Sequence, residues 1–312
     1  MRIALFGGTG FVGSYLVDAL VSAAMHPVLL VRPSSEHKVE QARSCTVVSG
    51  DIADRHAIDR ALAGASGVIY NIGILREFPQ RGITYEALHF AGAQRVMDAA
   101  EAAGVKRLLL MSANGVKAEG TPYQRSKYLA EQHLATTGLD WTVFRPSVLF
   151  GDPRGRQEFA TQLLSDIIDS PLPAPLFYAG VLPLHAGDFQ LSPVHVEDVA
   201  RAFVAALREP RTIGQILPLG GPRALTWREI LAAIAAVVGK RKLMLPAPAS
   251  AVAATAAMLE RFPASPITGE QVRMLMEGNT CSAEAFTALG VSPRAFDARS
   301  LRYLAERRAL GR

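Results

Sequence analysis

The chain has 312 residues, of which 49% are apolar and 20% charged, a profile that excludes a disordered or fibrous chain and leaves one large globular domain or two smaller ones. Its net charge of +5, from 33 basic and 28 acidic residues, is modest and scattered, so no nucleic-acid partner is expected. Cys45 and Cys281 stand far apart without metal-ligand spacing, which argues against a disulfide framework or a metal site and suits a reducing, cytoplasmic compartment.

In chain order, residues 2–6 (RIALF) read as a strand, 7–13 (GGTGFVG) as a tight turn, and 14–25 as a helix with Val12, Leu16, Leu20 and Ala24 on one face. A strand starting at residue 2 leaves no room for a secretory leader. The glycines at 7, 10 and 13 each meet a need of a dinucleotide laid across such a turn. Gly7 leaves the strand in a conformation a side chain would forbid, Gly10 admits the pyrophosphate, and Gly13 lets the helix approach the sheet. Backbone amides and the positive end of the helix dipole then face the phosphates, so Gly7, Thr9, Gly10, Phe11, Val12 and Gly13 are expected to contact the nucleotide.

Residues 27–31 (PVLLV) form a second strand. After it, an acid would select NAD(H) by holding the ribose 2'-hydroxyl. This chain offers Arg32, Ser34, Ser35 and Lys38 instead, so NADP(H) is expected over NAD(H). A third strand, 46–49, ends in Gly50-Asp51-Ile52, where the Asp51 carboxylate either accepts from the adenine amino group or caps a helix from Ala53. A fourth strand, 67–71, runs into Gly73, which admits a ribose. A helix over 84–103 precedes a fifth strand, 107–111, and Ser112.

Strands alternating with helices predict an α/β fold, a doubly wound parallel sheet with ligands at the carboxyl ends of its strands. Gly7, Arg32, Asp51, Asn71, Gly73, Ser112 and Ser147 all follow strands at that end. The division expected is a dinucleotide-binding core over 1–150, to which 190–207 returns, and a smaller substrate-side lobe over 151–189 and 208–312.

Thr121-Pro122-Tyr123-Gln124 reads as a helix start with a capping box. Tyr123 and Lys127 are four apart and share a face. A phenol with a solution pKa of about 10 is a poor base at neutral pH, and a neighbouring ammonium, with the cofactor's positive ring near, favours the phenolate and makes proton exchange with a substrate hydroxyl or carbonyl feasible. Lys127 also suits the role of holding a cofactor ribose without turnover. Asn114 either donates to a developing oxyanion or shapes a turn.

These features, with Arg145-Pro146-Ser147 and Gly151 after a sixth strand (141–144), resemble the short-chain dehydrogenase/reductase superfamily in order and spacing, over residues 1 to about 205. The stretches 71–75 (NIGIL), 112–115 (SANG), 123–127 (YQRSK) and 140–151 (DWTVFRPSVLFG) resemble more narrowly its atypical branch, which contains the dinucleotide-binding accessory subunit of respiratory complex I and its bacterial relatives. That narrower likeness is loose further on, at 268–274 and 289–293. The resemblance implies catalytic roles for Tyr123 and Lys127 and adds Pro146 and Ser147 to the nucleotide contacts. It also implies a possible partner in a respiratory complex or at a membrane surface, and a peripheral place at the inner face of a respiratory membrane. The chain departs from the superfamily in placing Asn114 where a serine or threonine usually polarises the substrate, and only eight residues separate it from Tyr123.

Beyond residue 152 the alternation loosens, and Pro171, Pro173, Pro175 and Pro183 mark a loop-rich stretch. His185 and His195 read as structural. Residues 199–207 read as a helix returning to the main sheet, 215–219 as a strand beside the small lobe, and 226–238 as a capped helix. Residues 246–259 read as an alanine-rich helix for the core, a helix contact, a partner or a membrane surface. No run, including 230–238 and 249–259, is long enough to cross a bilayer. Three functions fit: an NADP(H)-dependent oxidoreductase acting on a small carbonyl or hydroxyl compound, a non-catalytic NADP(H)-binding accessory or assembly protein of a respiratory NADH:quinone oxidoreductase, and, least well, a nucleotide-sugar epimerase or dehydratase.

Overall fold

The computed structural model describes residues 1–251 and 269–310, so most of the alanine-rich stretch and Arg312 lie outside the described residues. Two compact units emerge: Met1–Pro146 with Val196–Leu219 and Glu284–Ser292, and Ser147–His195 with Gly220–Ala283 and Pro293–Arg312.

The first unit runs β1 (Arg2–Phe6), α1 (Phe11–Ser22), β2 (His26–Val31), β3 (Thr46–Ser49), α2 (Arg55–Leu62), β4 (Gly67–Tyr70), a π-helical segment (Glu86–Ala91), α3 (Gly92–Ala102), β5 (Arg107–Met111), α4 (Pro122–Ala135) and β6 (Asp140–Pro146). The second unit contains β7 (Leu149–Phe150), α5 (Phe159–Leu163), β8 (Ala174–Tyr178), β9 (Gln190–Leu191) and β10 (Val194–His195). The chain then returns to the first with α6 (Val196–Ala206) and β11 (Gln215–Leu219), and completes the second with β12 (Leu225–Thr226), α7 (Trp227–Val237), β13 (Met244–Pro248) and the helix Gly269–Met276.

In the first unit seven parallel strands form one sheet in the order β11-β6-β5-β4-β1-β2-β3. Both faces are covered: α2, α3 and α4 pack side by side, and α1 packs on α6. Strands buried on both faces read as unbroken apolar runs, which is why RIALF and RLLLM were legible. Ala4, Phe6, Val68, Tyr70, Leu108 and Leu110 point into the core under α2–α4. Phe144 meets Phe203 of α6 with ring centroids 4.3 Å apart. Arg107, at the start of β5, is buried and donates to the carbonyl oxygens of Asp140 (2.7 Å) and Ala206 (2.7 Å) and to the hydroxyls of Thr142 and Thr212. It is thereby a second donor to the Ala206 carbonyl at the end of α6, which also accepts the Glu209 amide at 3.2 Å.

Several boundaries differ from expectation. Helix α1 ends at Ser22, and Ala24, expected on its face, is exposed with φ 55°. The helix expected over 84–103 divides into the π-helical segment and α3. Helix α2 is capped by Asp54 rather than Asp51. Strand β11 joins the main sheet at its edge, parallel to β6. Pro246 and Pro248 lie in β13, which pairs with β8 in a two-stranded sheet, so the residues expected to begin a helix begin as a strand. Prolines suit such an edge strand because it can forgo N–H donors.

The second unit has its own core, in which Trp227, Ile230, Leu231 and Ile234 of α7 pack with Phe150, Leu176, Phe177 and Leu304. Helix α7 starts as expected, with a Thr226–Glu229 capping box. His195 is buried, with its ring edge-on to Phe150 at 5.1 Å, and so fits a structural role. His185 is exposed on a turn with φ 67°.

Candidate nucleotide site and catalytic centre

The glycine turn closes on itself. The Gly10 amide donates to the Gly7 carbonyl at 3.2 Å, and the Ser14 amide to the Gly10 carbonyl at 3.0 Å. Gly7 has φ +96°, and a Cβ there would sit 2.9 Å from the Asn71 backbone. A Cβ at Gly13 would sit 2.0 Å from the Gly7 oxygen, so both positions are glycine because the fold itself demands it. Gly10 is different. A Cβ there meets only the Gly7 oxygen, at an ordinary 3.5 Å, and Gly10 is exposed. The turn therefore has an open cradle at Gly10, at the N-terminus of a helix that no side chain caps. That is the space and polarity a pyrophosphate requires.

The other expected nucleotide contacts arrange themselves around this turn in different ways. Thr9, Phe11 and Val12 are half-buried on it. Asn71 joins it directly, its amide donating to the Phe6 carbonyl at 2.9 Å. Arg32 and Ser34 are exposed at the end of β2, where Arg32 precedes a short 3-10 turn. Asp51 is exposed after β3 and accepts the Ala53 amide at 2.9 Å, whereas the Ile52 side chain is buried in the core. Pro146 ends β6 and accepts the Asn114 amide at 2.9 Å, which fixes the Asn114 turn beside β6. Ser147 lies in the second unit, where its hydroxyl donates to Asn279 at 2.7 Å and accepts from the Ser192 amide at 3.3 Å.

Helix α4 carries the expected chemistry, and its start is the one the sequence specifies: the Thr121 hydroxyl accepts the Gln124 amide and the Gln124 side chain accepts the Thr121 amide. Lys127 is buried and donates to the carbonyl oxygens of Met111 (2.9 Å) and Ile72 (3.2 Å). A Cβ on Gly73 would stand 3.6 Å from its ammonium, so the charge borders the open side of that glycine. Burial lowers the Lys127 ammonium to about 8, against the opposing pull of the Glu131 carboxylate. Glu131, one turn further along α4, receives Ser112 and Arg145 and is 3% exposed. The Ser112 hydroxyl is thus directed to a carboxylate.

Tyr123 lies in an aromatic cluster. Its ring stands edge-on to Tyr85 at 5.6 Å and to His89 at 5.2 Å, and burial pushes its phenol up to about 12. Burial, not the Lys127 charge, is what sets the proton affinity of this phenol.

Tyr85, His89, Ser126 and Glu131 were not identified from the sequence. Two of them carry a weak signal: His89 stands four residues after Tyr85, and Glu131 four after Lys127, each pair at one-turn spacing.

Residues 7–166 match the model of a family described as NAD(P)H-binding. The chain belongs to this NAD(P)H-binding family. A relative named ceramide reductase, from Caulobacter vibrioides (strain NA1000 / CB15N), is 27% identical over 262 residues, covering 83% of this chain and 78% of the relative. One named NADH dehydrogenase [ubiquinone] 1 alpha subcomplex subunit 9, mitochondrial, from Dictyostelium discoideum, is 26% identical over 234 residues, 73% of this chain. The NAD(P)H-binding chain spans only 61% of that subunit's length. Among solved structures, a UDP-glucose 4-epimerase from Thermus thermophilus, in complex with NAD, superposes with a TM-score of 0.71 at 20% identity, covering 98% of each chain. That likeness speaks for the fold. The resemblance to the atypical short-chain dehydrogenases/reductases and the complex I accessory subunit is borne out. Among the described residues no helix is long and apolar enough to cross a membrane.

Proposed function

We propose that the chain is an NADPH-dependent reductase of a carbonyl compound, with Tyr123 as the proton donor. The observation that carries this reading is geometric: Tyr123 stands one helical turn before Lys127 on α4, and the Lys127 ammonium lies beside the open side of Gly73. Reduction of a carbonyl needs an acid at the oxygen, and a phenol that keeps its proton is one. The fit to a nicotinamide nucleotide rests on the Gly10 cradle and the uncapped start of α1.

Gly7, Thr9, Gly10, Phe11, Val12 and Gly13 would hold the pyrophosphate, Asp51 and Ile52 the adenine side, Asn71, Gly73 and Lys127 the nicotinamide ribose, and Ser112, Pro146 and Ser147 the nicotinamide side. Arg32 and Ser34 would select the 2'-phosphate, since a guanidinium attracts it and no acid occupies Arg32's position. When bound, reduced nicotinamide supplies a hydride to the carbonyl carbon. Tyr123 passes its phenolic proton to the carbonyl oxygen, the O–H bond of the phenol breaking as that of the alcohol forms. Lys127 is then the charge that steadies the resulting phenolate, and Asn114 would donate to the same substrate oxygen. The relative named ceramide reductase supports a reductive role.

A second reading, a non-catalytic NADP(H)-binding accessory protein of a respiratory NADH:quinone oxidoreductase at the inner face of its membrane, is favoured by the complex I relative. Mixing NADPH-loaded protein with aldehydes, ketones and quinones separates the two. The reductase oxidises bound NADPH only when a carbonyl compound is present, and Tyr123→Phe abolishes this while NADPH binding persists. A protein that never reoxidises and co-purifies with respiratory subunits is the accessory protein.

A further inference from the structure

The helix before β5 opens with a π-turn over Glu86–Ala91, a widening that recurs at functional sites because it re-aims side chains an α-helix would hold elsewhere. Here it carries His89, 1% exposed, into the interior. His89 Nε2 accepts the Ile74 amide at 3.0 Å. An amide can only donate, so that nitrogen holds no proton and Nδ1 does. His89 Nδ1 therefore donates to the Ser126 hydroxyl at 3.0 Å, and Ser126 donates in turn to the Tyr123 carbonyl at 2.9 Å. Every bond in this chain has one donor and one acceptor. Around it, Tyr85 packs edge-on against Tyr123, lies 5.3 Å from the His89 ring, and donates its hydroxyl to the Leu75 carbonyl at 3.1 Å.

Packing alone does not require a histidine at this place, since any aromatic ring would fill it. What the imidazole adds is a second polar end. One end holds the turn after β4, beside Gly73, and the other holds the helix turn that presents Tyr123. We propose that His89 is the residue that positions the Tyr123 phenol, tying its helix to the turn after β4 through the chain Ile74–His89–Ser126–Tyr123.

This rests on the reading of Tyr123 as proton donor, yet its test does not depend on turnover. The faces around His89 present Lys127, Tyr85 and Tyr123 as its titratable neighbours; burial first and the Lys127 charge second keep the ring neutral. The full chain, labelled with 15N-histidine and 13Cζ-tyrosine, is compared with Ser126→Ala, Ser126→Thr and His89→Phe, Tyr123→Phe serving to assign the tyrosine signal. In the wild type His89 shows the Nδ1–H tautomer, unchanged across the pH range around neutrality. In Ser126→Ala and His89→Phe the Tyr123 signal shifts and broadens, the signal of Tyr303, which lies in the core of the second unit, stays, and Ser126→Thr restores the wild-type spectrum.

Where NADPH reoxidation is measured, Ser126→Ala lowers kcat about tenfold and leaves the KM for NADPH unchanged, because the bond to Ile74 survives. His89→Phe impairs both, and the double variant is no worse than His89→Phe. An Nε2–H tautomer, a His89 titrating near neutrality, or an unmoved Tyr123 signal in folded Ser126→Ala overturns the proposal. A wild type that transfers no hydride overturns the reductase reading instead and leaves the spectroscopic result to stand by itself.

Discussion

Lys127 of α4 donates from its ammonium to the carbonyl oxygen of Met111, the last residue of β5, at 2.9 Å. This bond joins the helix of the candidate catalytic centre to the sheet end where ligands gather, and it holds a charge in a buried place. The folded chain thus binds the Lys127 proton less tightly than the unfolded chain, about 8 against the ordinary value of 10.5. A depressed ammonium lowers stability fully below the folded value, and the penalty fades as pH rises from 8 to 10.5. Relative to Lys127→Met, the nucleotide-free wild type gains about 1.4 kcal/mol of stability per pH unit through that window, read by urea denaturation at several pH values. Lys127→Met also weakens NADPH binding about tenfold, the loss of one charge-assisted hydrogen bond; parallel stability curves for the two proteins count against a charged Lys127 in the core.

The glycines of the turn give a contrast. Gly13→Ala places a methyl group 2.0 Å from the Gly7 oxygen, and the backbone shift it forces costs about 1–3 kcal/mol. Gly10→Ala has room in the protein and leaves the thermal midpoint within a degree or two of the wild type's. It nonetheless occupies the cradle, so it weakens NADPH binding about tenfold or more. Calorimetric stability and nucleotide titration on the two variants check this, and a Gly10→Ala protein that binds NADPH normally removes the cradle from the account.

Arg32 is expected to choose the nucleotide. Arg32→Glu replaces an attracting charge with a repelling one beside the 2'-phosphate, and weakens NADPH at least about tenfold while NADH changes little. Fluorescence titration with both nucleotides measures the ratio. Equal effects on the two assign Arg32 to the solvated surface.

Glu158 predicts a pH dependence of opposite sign to that of Lys127 and His89. It caps α5 through the Ala160 and Thr161 amides, at 2.7 and 2.8 Å, and burial raises its carboxyl to about 7. A raised acid stabilises the fold fully below the unfolded value of 4.5, and that contribution is lost as pH rises to 7. Measured against Glu158→Gln, the wild type loses stability from pH 4.5 to 7 and then levels off. His89 runs the other way: held down to about 2, it costs stability progressively as pH falls below 6.5, because only the unfolded chain takes up the proton. His89→Phe lacks that acid limb, and a matching limb in both proteins places the titration elsewhere.

Much of the first unit was legible because its signals are local. The runs RIALF and RLLLM are buried on both faces and so are apolar throughout, and the Thr121–Gln124 capping box is written into four consecutive residues. The π-turn was not legible, because the same apolar spacing supports either helix form and the choice is made by the contacts of Tyr85 and His89. Asp51 and Asp54 both fit a cap, and only the start of α2 at Arg55 decides between them. The strand at 215–219 was found, but which sheet it joins depends on pairing with β6, far away in sequence. The raised Tyr123 phenol was not legible for a similar reason: spacing puts Tyr123 and Lys127 on one face, whereas burial sets the proton affinity.

Isothermal titration of the wild-type chain with NADPH and NADH bears most directly on all of this. One equivalent of NADPH binds, more tightly than NADH, and the heat is lost in Gly10→Ala; a well-folded chain that gives no heat with either nucleotide contradicts the account.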